Sequence, residues 1–329
     1  MSNKIIELMQ VPAEQQDLNW LRQSLQAAIE LELSTIPPYL CGMWSIKDQS
    51  GPTYDLINSV VLEEMLHMGL ACNMLTAIGG TPQINTRIPS YPGPLPGGVR
   101  PELTVYLAGL SKEYLLHVYM QIEYPEAGPV VLALGRTFPT IGAFYDAILA
   151  AFRQLSPNIT GENQLTSFIG DNELFAIQAI NDAERAISEI KEQGEGCPQS
   201  PLAEDFGGEL AHYYKFAEIW HGNTLIWQNG TWQYAGDPIP FPDIHKMAPI
   251  PIGGYVNPSS QVQQALQDFD KQYTTVLDHL QNAWASHSQS NLNQSISAMF
   301  KLQPLATAIM QFQLPDGSGV YGPDFLPVS

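Results

Sequence analysis

Basic residues are scarce in this sequence. Its 329 residues hold 14 Lys and Arg against 33 Asp and Glu, for a formal net charge of −19. Such a surface repels phosphate backbones, which excludes a general nucleic-acid binder. Charge of either sign is sparse, at 14% of residues, against about 25% in an average protein. That is the composition of a chain that buries much of its length or associates with copies of itself, so a homo-oligomer is an expectation. Cysteine is nearly absent. Cys41, Cys72 and Cys197 form no C-x-x-C pair, which excludes a disulfide framework and fits a reducing compartment. No run of about 18 apolar residues occurs, so no helix is expected to span a membrane. The opening MSNKIIELMQ is interrupted by Glu7 and lacks the apolar stretch of a secretory signal. The expectation is a cytoplasmic protein with no membrane partner. There is no P-loop, no G-x-S-x-G and no dinucleotide fingerprint.

What the sequence has in quantity is helical periodicity. Leu18, Leu21, Leu25, Ile29, Ile36, Tyr39 and Met43 recur at steps of three and four, predicting a helix over 18–45 that Pro37-Pro38 should kink or break. A second helix is predicted over 53–78 and stopped by Gly79-Gly80-Thr81-Pro82. Residues 81–101 hold eight prolines and glycines between Pro82 and Gly98 and read as a long irregular lid. Shorter helices follow at about 111–121 and 140–155, the latter after Phe138-Pro139-Thr140. A third long helix is expected from Asp171, as N-cap, into QGEG at 193–196, and a fourth from Ser200-Pro201 to about Trp220. Residues 222–257 are loop with a hairpin at Asn229-Gly230. Two more helices are predicted at 259–286 and 290–312. The expected fold is an all-α four-helix core with additional C-terminal helices and long Pro/Gly-rich loops. Residues 1–222 would form the bundle and 223–329 an extension packed on it.

An apolar stripe should carry no carboxylate unless something pairs it, because burying a lone one costs several kcal/mol. Three predicted helices break that rule in a pattern. Glu32 falls between Ile29 and Ile36. Glu64 and His67 occupy the steps between Val60 and Ala71, with Glu63 off the stripe. Glu209 and His212 lead into Phe216 and Ile219. Glu64-Met-Leu-His67 and Glu209-Leu-Ala-His212 are thus two E-x-x-H pairs, each leaving one helical face. Two such helices, with one Glu from each of two others, are the ligand set of di-iron and di-manganese carboxylate bundles. The metal candidates are Glu32, Glu64, His67, Glu209, His212 and one Glu of the third helix. For that last position the order is Glu195, then Glu192, then Glu184, with Glu123 of QIEYPE as an outside candidate. Carboxylate-rich ligation suits two transition-metal ions, iron or manganese. His117, His245, His279 and His287 have no partner in helical register. Trp220, Trp227 and Trp232 read as core or lid packing.

The strings IELELSTIPPYL, LEEMLHMGLACNMLTAIGGTP, YPGPLPGG, TIGAFYDAI, EQGEG, ELAHYYKFAEI and YGPDF resemble the ferritin-like family named for the iminophenyl-pyruvate dimer synthase of violacein biosynthesis. The resemblance covers nearly the whole chain in order. It implies a stand-alone ferritin-like bundle, and its QGEG motif, matching Gln193 to Gly196, favours Glu195 over Glu184. It also implies an oxidoreductase that uses O₂ or peroxide on a small organic substrate, an imine or 2-oxo acid derivative. The 81–101 and 222–257 segments would shape the pocket. Readings of other classes are a metal-storage or detoxification bundle and a non-catalytic scaffold. Peroxide disproportionation in the manner of manganese catalases is a further reading.

Overall fold

The computed structural model of the chain describes residues 4–125, 140–197 and 200–328. A short helix α1 (Lys4–Met9) leads into the long helix α2 (Leu18–Ser45), capped by the Asp17 side chain on the Trp20 N–H. α3 (Pro52–Ala77) starts with proline in its first turn and folds back along α2.

The prolines at 37 and 38 do not break α2. Pro38 has no N–H for the carbonyl of Ser34, four residues earlier. The hydroxyl of Tyr91 donates to that carbonyl instead, at 2.7 Å. The donor comes from the Pro/Gly-rich segment 81–101, which also passes along α9 (Ser260–Ala285): Ile84 N–H donates to Gln281 Oε1 at 2.7 Å. That segment is irregular apart from one tight turn at Pro96–Gly98.

The region predicted as 111–121 is helical from end to end. It consists of α4 (Lys112–Tyr114), a wider π-helical turn (Leu115–Tyr119) and α5 (Met120–Ile122). α6 (Ile141–Leu155) is capped by Thr140 Oγ1 on the Ala143 N–H. Phe138 and Pro139 lie outside the described residues.

The third predicted helix begins later than expected. Asp171 sits with Gly170, at φ 61°, in the turn of a small antiparallel hairpin, β1 (Ser167–Ile169) and β2 (Asn172–Leu174). A positive φ at the first turn residue suits such a hairpin. α7 (Ile180–Glu195) follows, with Asp182 bonding the N–H groups of Gln178 and Ala179.

The fourth helix is also shorter than expected. Gly207 and Gly208, at φ 85° and 70°, turn the chain so that Ala203 N–H meets Glu209 O. α8 starts only at His212 (His212–His221). The Asn229-Gly230 turn joins β3 (Asn223–Gln228) to β4 (Thr231–Pro238) as predicted, with Trp227 paired across from Trp232. An all-α description is therefore corrected: among the described residues the helical fold carries two small antiparallel sheets. Beyond α9, the predicted 290–312 helix is split into α10 (Gln289–Met299) and α11 (Leu302–Ile309).

One cluster of buried apolar side chains runs from Ile5 through Phe325. α2 packs on α3 and α6, and α3 packs on α7 and α8. The space between these helices holds the site. Among the described residues no helix is long and apolar enough to cross a membrane.

Candidate metal centre

Glu32 on α2, Glu64 and His67 on α3, Glu123 just after α5 and His212 at the start of α8 are all buried, and their side chains converge. They fall into two ligand groups. In one, single atoms of Glu32, Glu64 and His67 lie within 4.8 Å of one another; in the other, those of Glu64, Glu123 and His212 do. Glu64 belongs to both. The two imidazole rings are nearly parallel, with centroids 5.5 Å apart.

The histidines are held from behind. Nε2 of His67 lies 2.8 Å from Oε1 of Gln193 on α7. An amide oxygen only accepts, so Nε2 carries the proton and Nδ1 of the neutral ring offers its lone pair to the cage. His212 repeats the arrangement, with its Nε2–H donating to Oε2 of Glu63 at 2.8 Å. Glu63 in turn accepts from the buried Lys215 ammonium at 2.8 and 2.9 Å. Outer groups of this kind fix the tautomer and the direction of a metal-binding histidine.

The carboxylates are also oriented. Tyr145 O–H donates to Glu32, and Tyr39 O–H donates to Glu123. Thr35 Oγ1 donates to Glu64 at 2.8 Å.

The charges are arranged for a cation. Burial, reinforced by the neighbouring Glu64 charge, pushes the carboxyl groups of Glu32 and Glu123 above the usual range. Burial acts the same way on Glu64, but the close His212 imidazole outweighs it and brings Glu64 below its ordinary value. Glu63 opposes burial by its contacts with His212 and Lys215 and is pulled down to about 2. Burial lowers His67. Burial also disfavours the His212 cation, but the surrounding carboxylates of Glu123, Glu63 and Glu64 raise it well above the usual range. Nδ1 of His212 lies 2.8 Å from Glu64 Oε1 and 3.5 Å from Glu123 Oε2, yet forms no hydrogen bond of acceptable direction. Ligand atoms this close with no hydrogen bond between them fit a metal ligand set better than an ion pair. The hard oxygen and imidazole donors suit iron or manganese.

Beside the cage is a cavity of about 30 Å³, room for a molecule about the size of water. It lies between Glu32, Glu64, His67, Glu123 and Tyr145 and the rim residues Gly142, Lys191 and Glu195.

Five of the sequence candidates thus meet: Glu32, Glu64, His67, His212 and the outside candidate Glu123. The structure does not bring the others into these two groups. Glu209 is not on a helix; its side chain is 64% exposed and lies 3.1 Å from Lys215. The turn at Gly207-Gly208 starts α8 three residues too late for the second E-x-x-H pair to share a helical face. Glu195 stands at the cavity rim, where it accepts the Gly142 N–H at the start of α6 at 3.1 Å. Glu192 accepts the Asp205 N–H, and Glu184 pairs with Arg153, both away from the cage. Neither 81–101 nor 222–257 lines the cavity. Glu123 joins Glu64 and His212 in the second group, and its signal in the sequence is an acid closing a short apolar helix. Glu63 lies off the apolar stripe in the sequence; the signal for its role is Lys215, a cation one turn beyond His212.

A family model described as ferritin-like matches residues 25–221, which takes in all five cage residues. No curated protein matches the chain. Among solved structures, a ferritin-like protein from Caulobacter vibrioides shares 23% identity and a TM-score of 0.66, covering 92% of this chain and 97% of its own. At that identity the likeness shows the fold alone.

Proposed function

The chain belongs to the ferritin-like family, and from that premise we propose that it is a dinuclear iron or manganese oxidoreductase acting with O₂ or a peroxide. One observation carries the reading: Glu64 is common to two adjoining Glu/His groups, the place a carboxylate bridging two ions would occupy. Glu32 and His67 would complete one position, and Glu123 and His212 the other. When bound, such a pair supplies Lewis acidity and redox equivalents toward a small oxidant.

The protein's own groups do the rest. Three carboxylates offset most of the charge of two divalent ions in a site that excludes bulk water. Gln193 and Glu63 hold the imidazoles with Nδ1 inward, and Lys215 keeps Glu63 ionised. Tyr145 and Tyr39 fix the outer oxygens of Glu32 and Glu123 and can give or take a proton there. The cavity at Gly142 and Glu195 gives a small molecule, about the size of water, a place beside the cage.

Metal analysis of protein purified without chelator, followed by oxygen-electrode assays with peroxide and with O₂, tests the reading. The expected result is about two equivalents of iron or manganese and metal-dependent turnover of one oxidant. Failure to retain or rebind metal would sink the whole reading. Two bound ions without turnover of either oxidant would remove its oxidoreductase part.

A further inference from the structure

Four tyrosines connect the cage to the surface, ring by ring. Tyr39, whose hydroxyl bonds Glu123, stands edge-on to Tyr119 with centroids 4.6 Å apart. Tyr119 meets Tyr114 at 4.9 Å, and Tyr114 meets Tyr106 at 5.0 Å. The first three are fully buried, and Tyr106 is half-buried beside Glu113. Simple packing would accept phenylalanine at each place, as at Phe216, which touches Tyr39 and Tyr119. Burying a hydroxyl costs free energy unless it is bonded. Here the inner three are bonded: Tyr39 to Glu123, Tyr119 to the Pro38 carbonyl at 2.7 Å, and Tyr114 to the Tyr106 carbonyl. Gly42 makes room for the second of these, because a Cβ there would stand 2.0 Å from the Tyr119 hydroxyl.

We propose that Tyr39, Tyr119, Tyr114 and Tyr106 form a route for single electrons between the cage and the protein surface. This rests on the redox reading above. In the outward direction a peroxide-class oxidant held at the cage would be reduced to two waters over two passes, taking two protons from solvent; each pass takes one electron from Tyr39, whose phenolic proton passes to Glu123. An electron then moves inward along the rings from Tyr106, while Tyr119 and Tyr114 keep their protons in the bonds to carbonyl oxygens. Tyr39 recovers its proton from Glu123, and Tyr106 releases its own to solvent. The net change is one electron and one proton lost by Tyr106. The oxidising equivalent thus leaves the buried site for a place where an external thiol or ascorbate-class reductant can meet it.

The test has two arms. In the first, iron-loaded protein is treated with hydrogen peroxide and a nitrone spin trap, and the trapped residue is located by mass spectrometry. The expected adduct is on Tyr106, reduced to the level of metal-free protein in Tyr119→Phe and in Tyr39→Phe. In the second arm, metal-free protein is oxidised by photogenerated tris-bipyridine ruthenium(III) and frozen for electron paramagnetic resonance. A tyrosyl signal that Tyr39→Phe removes, and that Tyr119→Phe also removes, shows the route working inward without metal. Equal labelling of Tyr106 in wild type and both variants overturns the proposal, as does a metal-free signal unaffected by either. A positive second arm with a silent first arm leaves the route standing and places the failure in the metal reading.

Discussion

Glu63 and His212, 149 residues apart, are joined by a 2.8 Å hydrogen bond from the imidazole Nε2 to a carboxylate whose other contact is a buried lysine. Adjacent residues of α3 thereby flank one ring, Glu63 bonded at Nε2 and Glu64 2.8 Å from Nδ1. Glu63→Gln keeps an acceptor but loses the charge that balances Lys215. Metal affinity should fall about 10- to 100-fold, as for other outer partners of ligand histidines. Competition with a fluorescent chelator measures it, and unchanged affinity would mean that His212 needs no such support.

Glu123 and Glu209 make opposite predictions. Glu123→Ala removes a carboxylate from one of the two groups, so bound metal should fall from about two equivalents to about one. Glu209→Ala trims an exposed side chain and should leave metal content unchanged. Plasma emission analysis of both variants decides the assignment; the reverse outcome would restore the second E-x-x-H pair.

Metal should stabilise the fold, since ions bind the native cage and not the unfolded chain; at a free concentration 100 times Kd the gain is about 2.7 kcal/mol. A melting curve with and without Mn²⁺ should show that rise in wild type and lose it in His67→Ala. A full rise in His67→Ala would exclude His67 as a ligand.

Gly42→Ala should destabilise the protein by about 1–3 kcal/mol, the range for overpacked cores. Its Cβ would meet the Tyr119 hydroxyl at 2.0 Å and the Tyr119 Cζ at 3.1 Å. Urea denaturation measures the loss. Combining the change with Tyr119→Phe should recover part of it, because the nearest clashing atom is then gone.

A second carboxyl pair gives stability a pH dependence of its own. Asp270 on α9 accepts the Leu326 N–H at 3.1 Å. Burial, with the Asp324 charge beside it, pushes its carboxyl up to about 8. The unfolded value is near 3.8, so the folded state holds the proton more tightly. Stability from this group is present in full below the unfolded value and is lost as pH rises toward the folded one, across about pH 4 to 8. Asp270→Asn mimics the protonated form and should flatten the decline of melting temperature over that window. An unaltered slope would remove Asp270 as its source.

The sequence by itself determined the long helices and the faces they bury. A stripe at steps of three and four is a local property, so α2 and α3 and the inward positions of Glu32, Glu64 and His67 were legible residue by residue. The resemblance carried the fold family for the same reason: its strings lie on those helices. The continuity of α2 through Pro37 and Pro38 was decided elsewhere, by the Tyr91 hydroxyl that reaches the Ser34 carbonyl from a distant loop. So was the identity of the remaining cage residues. Glu209 and His212 share a face only if one helix carries both, and the positive-φ glycines at 207 and 208 end that possibility. Glu123 enters because α5 ends against α8, and Glu63 turns inward because Lys215 and His212 meet it from another helix. A carboxylate's periodic position tells which side of its own helix it occupies. Which cage it enters depends on how helices far apart in the chain pack, and on whether each buried charge finds the partners that offset its desolvation.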